Sequence, residues 1–578
     1  MTLGRQDVGA VPAETARLVR KVFRQGNMYV TLRDALGPVY ADEKYAALFS
    51  SRGQPSLPPG QLALVLVVQY IEGLTDRAVA DAVRARMDLK YLLGLPLDDA
   101  GFHYSALSEF RTRLVEHDVV DQLLTDVLER CQALGLVQAQ GQQRTDSTHV
   151  LGAVRDLNRY ELVGESLRHA LNALALVDGA WLQERVPAAW YDRYGERIEA
   201  YHLPKGAGQR RAWAEEVGRD GQQLLAWLDA PAAPAYLLRI PAVQTLRQVW
   251  QQQYHLPPPA PSSTPPGRGR EAQAAQAAQA AQAGTQLRWR QAGELPPAAE
   301  MIQSPYDPAV RYSEKRDLHW KGYKVHFTES CDAGLPSLIT AVVTTPAPVP
   351  DCTVLETVHA QLEQRSLLPA RHLVDAGYTS AENYLHSQAA HGVNLVGPTA
   401  PDGSWQARSR NGFDQAAFTL DWEAQVATCP QGRRSLKWLP DARNGSLLIR
   451  FPKQACRTCP VRTHCTQAQV GPRSLRLLPH AQQAALAAAR QRQTRDDFAA
   501  AYRPRAAVEA THALAVRTAD LRHTRFVGQA KAHFQHVATA VALNLRRIAD
   551  HFAQHQPRTP LISPFQCLAP HAALGNSC

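Results

Sequence analysis

Cysteine is scarce in this chain and badly distributed for cross-linking. The 578 residues include nine cysteines, and four of them, Cys429, Cys456, Cys459 and Cys465, lie close together. That usage excludes a disulfide framework and fits a reducing cytoplasm with one metal site. Long apolar runs are missing too. The most apolar stretch, Leu62 to Val68, falls well short of the roughly 20 residues that span a bilayer and reads as a buried helix. No membrane association is expected. The opening residues are polar and lack an apolar core, so no signal peptide is expected either. Acidic residues are outnumbered by basic ones, 53 to 63, for a net charge of +10. This balance favours polyanionic partners through attraction to phosphate, although charge alone also fits a merely soluble basic protein.

The length suggests about four domains, and a hydrophobic content of 45% permits globular cores. Residues 1–135 read as helical. Pro58-Pro59-Gly60 opens an apolar helix that Gly73 closes, and Asp76 caps the next, Arg77 to Met87. Ser105 to Glu116 is amphipathic, with Leu107, Phe110 and Leu114 on one face and Arg111 and Arg113 elsewhere. These helices read as a DNA-binding module of helix-turn-helix type or as a plain bundle with solvated arginines. Residues 161–300 read as a helical insertion. It ends in a Pro-rich stretch from Leu256 and an Ala-Gln repeat to Ala283, a composition that cannot bury a core and reads as a flexible linker.

Strand signals return in His319 to Phe327 and in Ser337 to Thr344, with a turn at Gly334, and predict a hairpin. A helix over Cys352 to Arg365, a strand before Asp375, a helix over Ser380 to His391 and a strand at Val393 to Val396 follow. The alternation predicts an α/β sheet assembled from residues 136–160, 301–400 and 479–555. Phe534, Val537, Val541, Leu545, Ile548 and Phe552 recur at helical spacing and predict a long buried helix, Lys531 to His555. Residues 556–578 are expected to form a disordered tail.

Three acids stand in settings that suit metal ligands. Asp146 is read as ending a short strand-like run, Gln143 to Val150, Asp375 follows the apolar Leu373-Val374, and Glu509 sits in a helical stretch from Arg503 to Val516. Carboxylates meeting at one sheet edge hold two Mg²⁺ ions against a phosphate, and paired ions roughly 4 Å apart serve phosphodiester cleavage. Tyr502, Arg505 and Glu509 are spaced Y-x2-R-x3-E, which puts Arg505 on the face of Glu509. That arginine reads as a phosphate grip or as an ordinary i,i+4 ion pair.

Cys456, Cys459 and Cys465 give C-x2-C-x5-C, with Cys429 upstream, inside a polar insertion spanning 401–478. Four thiolates with one knuckle read as a structural Zn²⁺ site, with His464 a substitute ligand, or as reduced surface cysteines. Arg433, Arg434, Lys453, Arg457 and Arg462 lie nearby as candidate DNA contacts.

Several blocks together resemble the DDE-class bacterial insertion-sequence transposases. They are Leu74 to Val83, Phe102 to Arg111, Arg144-Thr145-Asp146-Ser147-Thr148, Tyr306 to Tyr312 with Lys321 to His326, Asp375-Ala376-Gly377-Tyr378, and Arg522 to Arg547. The resemblance implies an RNase H-like mixed sheet flanked by helices, with a helical N-terminal domain and insertions. It implies that Asp146, Asp375 and Glu509 form the metal triad for two Mg²⁺ or Mn²⁺ ions. Tyr502 and Arg505 match a signature that also expects Lys seven residues past the Glu, where this chain has Val516 followed by Arg517. His149 and Lys324 are expected near substrate. The implied function is binding of terminal inverted repeats in double-stranded DNA, cleavage and strand transfer to target DNA, by a homodimer in the cytoplasm, at the nucleoid when bound. The alternatives are a catalytically inactive relic or repressor and a nuclease without strand transfer.

Overall fold

The computed structural model describes residues 10–50, 52–53, 56–255, 287–409, 411–441 and 445–555. The expected linker from Leu256 to Ala283 and the expected tail 556–578 lie outside the described residues.

The chain divides into two compact units. The first comprises residues 1–138, 330–340 and 538–578 and is mainly helical where described. Its centre is the helix Pro59–Glu72, which begins with Pro at its first turn and ends at Gly73 with φ +68°, a left-handed cap that disfavours a side chain. Leu62 to Val68 is buried throughout, as the apolar run predicts. Thr75, rather than Asp76, caps the next helix, Asp76–Ala85, by accepting from the Ala78 N–H. Asp76 instead receives Arg111 at 2.6 Å, and Arg111 also reaches Gln69. The sequence reading set Arg111 apart from the packed face of Ser105–Glu116. The structure buries it, because its guanidinium finds a carboxylate and an amide there.

The second unit comprises residues 139–329 and 341–537 and contains most of a six-stranded sheet. Its strands are β1 (Gln142–Leu151), β2 (Arg311–Lys315), β3 (Leu318–Ser330), β4 (Ile339–Pro346), β5 (Arg371–Val374) and β6 (Asn394–Val396). The order is β2-β3-β1-β5-β6, with β4 also paired to β3. β5 runs parallel to both β1 and β6, whereas β2 and β3 are antiparallel. This mixed sheet with flanking helices is the RNase H-like arrangement. β4 is rich in β-branched residues and buried on both faces. Gly322, at φ +159°, lies where an added Cβ would meet the Val150 carbonyl at 2.0 Å, so only glycine lets β3 approach β1 so closely.

Among the described residues, four α-helices between β1 and β2, including Arg159–Gln183 and Pro241–Gln253, bury Trp250, Tyr254 and Trp289 among leucines and valines. Asn158 and Glu161 form a capping box at the start of the first. A smaller core of Phe418, Trp438, Ile449, Phe451, Leu475 and Leu477 underlies the cysteine-rich segment.

Candidate active site

The register of the parallel pair brings two of the predicted acids side by side. Thr145 of β1 is level with Val374, the last residue of β5. Asp146 and Asp375 are each the next residue along. The run Gln143 to Val150 corresponds to β1, but Asp146 lies inside the strand rather than at its end, because β1 continues to Leu151. The reason is a partner distant in sequence: Leu151 donates to the Arg522 carbonyl at 2.7 Å and accepts from the Thr524 N–H at 3.0 Å. Asp146 therefore sits where β5 stops and β1 continues, at an opening in the sheet.

Glu509 comes to the same place on the helix Ala507–Ala519, which a 3-10 turn over Arg503–Ala506 introduces. A buried ion pair ties this segment to the sheet. Arg144 reaches Glu329 at 2.6 Å and donates to the Pro504 carbonyl at 2.6 Å, while the Thr511 hydroxyl donates to Glu329 at 2.7 Å. His512 stacks on Phe327, ring centroids 5.3 Å apart, and meets the Asp146 carbonyl at 3.2 Å.

The three acids converge on one guanidinium. Arg505 lies 2.9 Å from Asp146, 2.9 Å from Glu509 and 3.9 Å from Asp375. Tyr502 donates to the Val374 carbonyl at 3.1 Å, so its ring closes the space beside β5. Exposure differs sharply: 14% for the Asp146 side chain, 30% for Asp375 and 67% for Glu509. Burial pushes Asp146 up to about 6, against the lowering pull of Arg505 and the Ser147 N–H and with a further push from Asp375. Burial likewise raises Tyr502 to about 12, opposed by Arg505. Asp146 is thus a carboxylate short of positive charge even with Arg505 at hand. A divalent cation fits that deficit.

The sequence reading missed a fourth acid. Asp351, before the helix Leu355–Gln364, receives Lys324 at 2.5 Å and the Ser147 hydroxyl at 3.2 Å. An added Cβ on Gly377 would meet both Asp375, at 3.0 Å, and Asp351, at 3.3 Å. Pro350-Asp351 resembles any turn-and-cap dipeptide, and nothing local marks it. Lys324, expected near substrate, spends its charge on Asp351 and its remaining donors on the Val349 carbonyl. His149 packs on Trp320 at 5.7 Å, half-buried, and burial lowers its pKa. Val516 and Arg517 lie two turns along the Glu509 helix, Arg517 exposed.

Beneath Asp146 runs a line of buried hydrogen bonds. His359 Nε2 meets His372 Nδ1 at 2.9 Å, and His372 Nε2 meets the Thr145 hydroxyl at 2.6 Å. The Thr145 hydroxyl in turn meets that of Thr328 at 2.6 Å. Burial drives His359 down to about 3 and His372 well below its usual range, so both rings are neutral.

Cys429, Cys456, Cys459 and Cys465 line one pocket together with Phe413, Phe451 and Arg473. Burial raises Cys465, and the three other cysteines add to the rise while Arg473 opposes it. His464 turns instead toward Phe413, with ring centroids 6.3 Å apart. Arg462, read as a DNA contact, donates to the Cys456 and Gly471 carbonyls and braces the knuckle. Arg433, Arg434, Lys453 and Arg457 remain exposed.

An RNase H-like sheet with acids gathered at one opening defines a nucleic-acid-processing class. Residues 428–549 match the family model described as Transposase DDE domain, and residues 17–113 match that of a Transposase domain, DUF772. Over these two segments the chain is similar to DDE transposases of insertion-sequence type. The two matches support transposase function, divalent-metal dependence and DNA as partner in general terms. No curated protein and no solved structure gives a significant match. No described helix is long and apolar enough to cross a membrane.

Proposed function

We propose that this transposase binds the terminal inverted repeats of its element, cuts there, and joins the freed 3′-hydroxyl to target DNA. Asp146, Asp375 and Glu509 would hold two Mg²⁺ or Mn²⁺ ions. Bound there, such ions activate the attacking oxygen and stabilise the leaving one. Arg505 orients a non-bridging phosphate oxygen beside Asp146, and Tyr502 flanks the opening. The convergence of three sequence-distant carboxylates on Arg505 is the observation that carries this reading. The helical N-terminal segment is the proposed reader of the ends, and the exposed Arg433, Arg434, Lys453 and Arg457 are proposed to track phosphates. The four cysteines would hold one structural Zn²⁺. Strand transfer requires paired ends, hence a homodimer on DNA, acting at the nucleoid in the cytoplasm.

The test is end cleavage and strand transfer on labelled terminal DNA. The wild type is expected to cut and join with Mg²⁺, and Asp146→Asn to do neither. Cleavage that survives Asp146→Asn removes the triad. Cleavage without joining in the wild type assigns a plain nuclease, and absence of both with retained end binding assigns a repressor.

A further inference from the structure

On two neighbouring helices, Glu356, His386 and His391 each place one ligand atom so that all three lie within 4.8 Å of one another. We propose that these three residues bind a transition-metal dication of the Zn²⁺ class. Glu356 belongs to the helix Leu355–Gln364, and both histidines to the helix Ala381–His391. His386 Nδ1 lies 2.8 Å from Glu356 Oε2, and His391 Nε2 lies 3.2 Å from the same oxygen. Two imidazole nitrogens thus point at one carboxylate oxygen from a neighbouring helix.

The donor set decides the ion. Two imidazoles and one carboxylate suit Zn²⁺, Co²⁺ or Ni²⁺, whereas Mg²⁺ and Ca²⁺ prefer all-oxygen shells. The second nitrogen of His391, Nδ1, is buried without a hydrogen bond, with the Glu363 carboxylate 3.3 Å away on the same helix as Glu356. Exposure is graded as an entry path needs: the His391 side chain is 6% exposed, and those of His386 and Glu356 49% and 56%. His391 is the fixed ligand, and the other two close from solvent. His359 packs against His391 with centroids 5.3 Å apart, so three imidazoles crowd one spot. The competing account is a surface His–Glu ion-pair cluster, worth little by itself. Bound metal would staple the two helices together, and this inference does not rest on the transposase reading.

The test uses the full chain, stripped with chelator and held in excess Mg²⁺ to occupy the acidic opening. Zinc per chain is counted by mass spectrometry, and Co²⁺ loading is followed by absorption. The expected result is that the double variant Glu356→Gln/His386→Ala binds one zinc fewer than the wild type. Its Co²⁺ d–d intensity falls while thiolate charge-transfer bands stay unchanged. Both side chains are exposed, and His386→Gln, which keeps the size, is expected to give the same loss. Identical zinc counts and Co²⁺ spectra in the wild type and all these variants would overturn the proposal and leave an ion-pair cluster only.

Discussion

Arg144 and Glu329 form a buried ion pair at 2.6 Å, with side chains 7% and 0% exposed. The pair joins β1 to β3, and through Pro504 and Thr511 it anchors the segment that presents Glu509. Breaking such a pair strands one charge in the interior, at a cost of about 3–5 kcal/mol. Glu329→Gln is therefore expected to lower the unfolding midpoint of the catalytic unit in denaturant by that order. The double variant Arg144→Met/Glu329→Leu is expected to be less destabilised than Glu329→Gln. A double variant as unstable as the sum of its singles would refute the coupling.

Asp146 carries a pH signature. Its folded pKa of about 6 lies above the ordinary carboxylate value, so the native state holds this proton more tightly than the unfolded chain does. Stability then falls as pH rises from about 4 to about 6, and the full cost, about 3 kcal/mol, is present above pH 6. Asp146→Asn should stabilise the metal-free protein at pH 7.5 and leave it unchanged near pH 3.5. Thermal melts at the two pH values check this. Divalent-ion binding should weaken below pH 6, where the proton competes.

Arg505 occupies the charge-balancing position among the acids. Removing it in Arg505→Met deletes a cation that competes with metal, so Mn²⁺ should bind about tenfold tighter, equivalent to about 1.4 kcal/mol. End cleavage should drop about 100-fold or more, because a positioned charge at the phosphate is lost. Calorimetric titration with Mn²⁺ and cleavage kinetics read the two effects separately. Weaker metal binding in Arg505→Met would reverse the assignment and make the arginine a support of the carboxylates.

The cysteine cavity predicts one chelatable zinc. Cys456→Ser or Cys459→Ser should lose it and lower the melting temperature of the wild-type chain, with no further drop on adding chelator. Equal zinc content in the wild type and both variants would exclude these thiols as ligands.

Much of this was legible in the sequence because it is periodic or local. The alternation of β-branched residues in Ser337 to Thr344, the helical spacing from Phe534 to Ile548 and the boundaries of Ser105–Glu116 correspond closely to the elements formed. Phe552 is only partly buried, since the last turn of its helix lies near the end of the packed face. What the sequence hid is relational. Asp351 and Glu329 are ordinary acids until Lys324 and Arg144 arrive from other strands. The continuation of β1 past Asp146 depends on a backbone partner at Arg522 and Thr524, which no window around Asp146 contains. Arg111 likewise looked like a solvated charge because its acceptors, Asp76 and Gln69, lie on other elements.

The line from His359 through His372 to Thr145 has a polarity of its own. A neutral imidazole carries a single ring hydrogen, so it gives at one nitrogen and receives at the other. The two imidazole links therefore share one sense: if His359 gives to His372, His372 gives to the Thr145 hydroxyl, and if His359 receives, His372 receives from it. The strand bearing Asp146 is thereby wired to the interior through two rings whose hydrogens turn together.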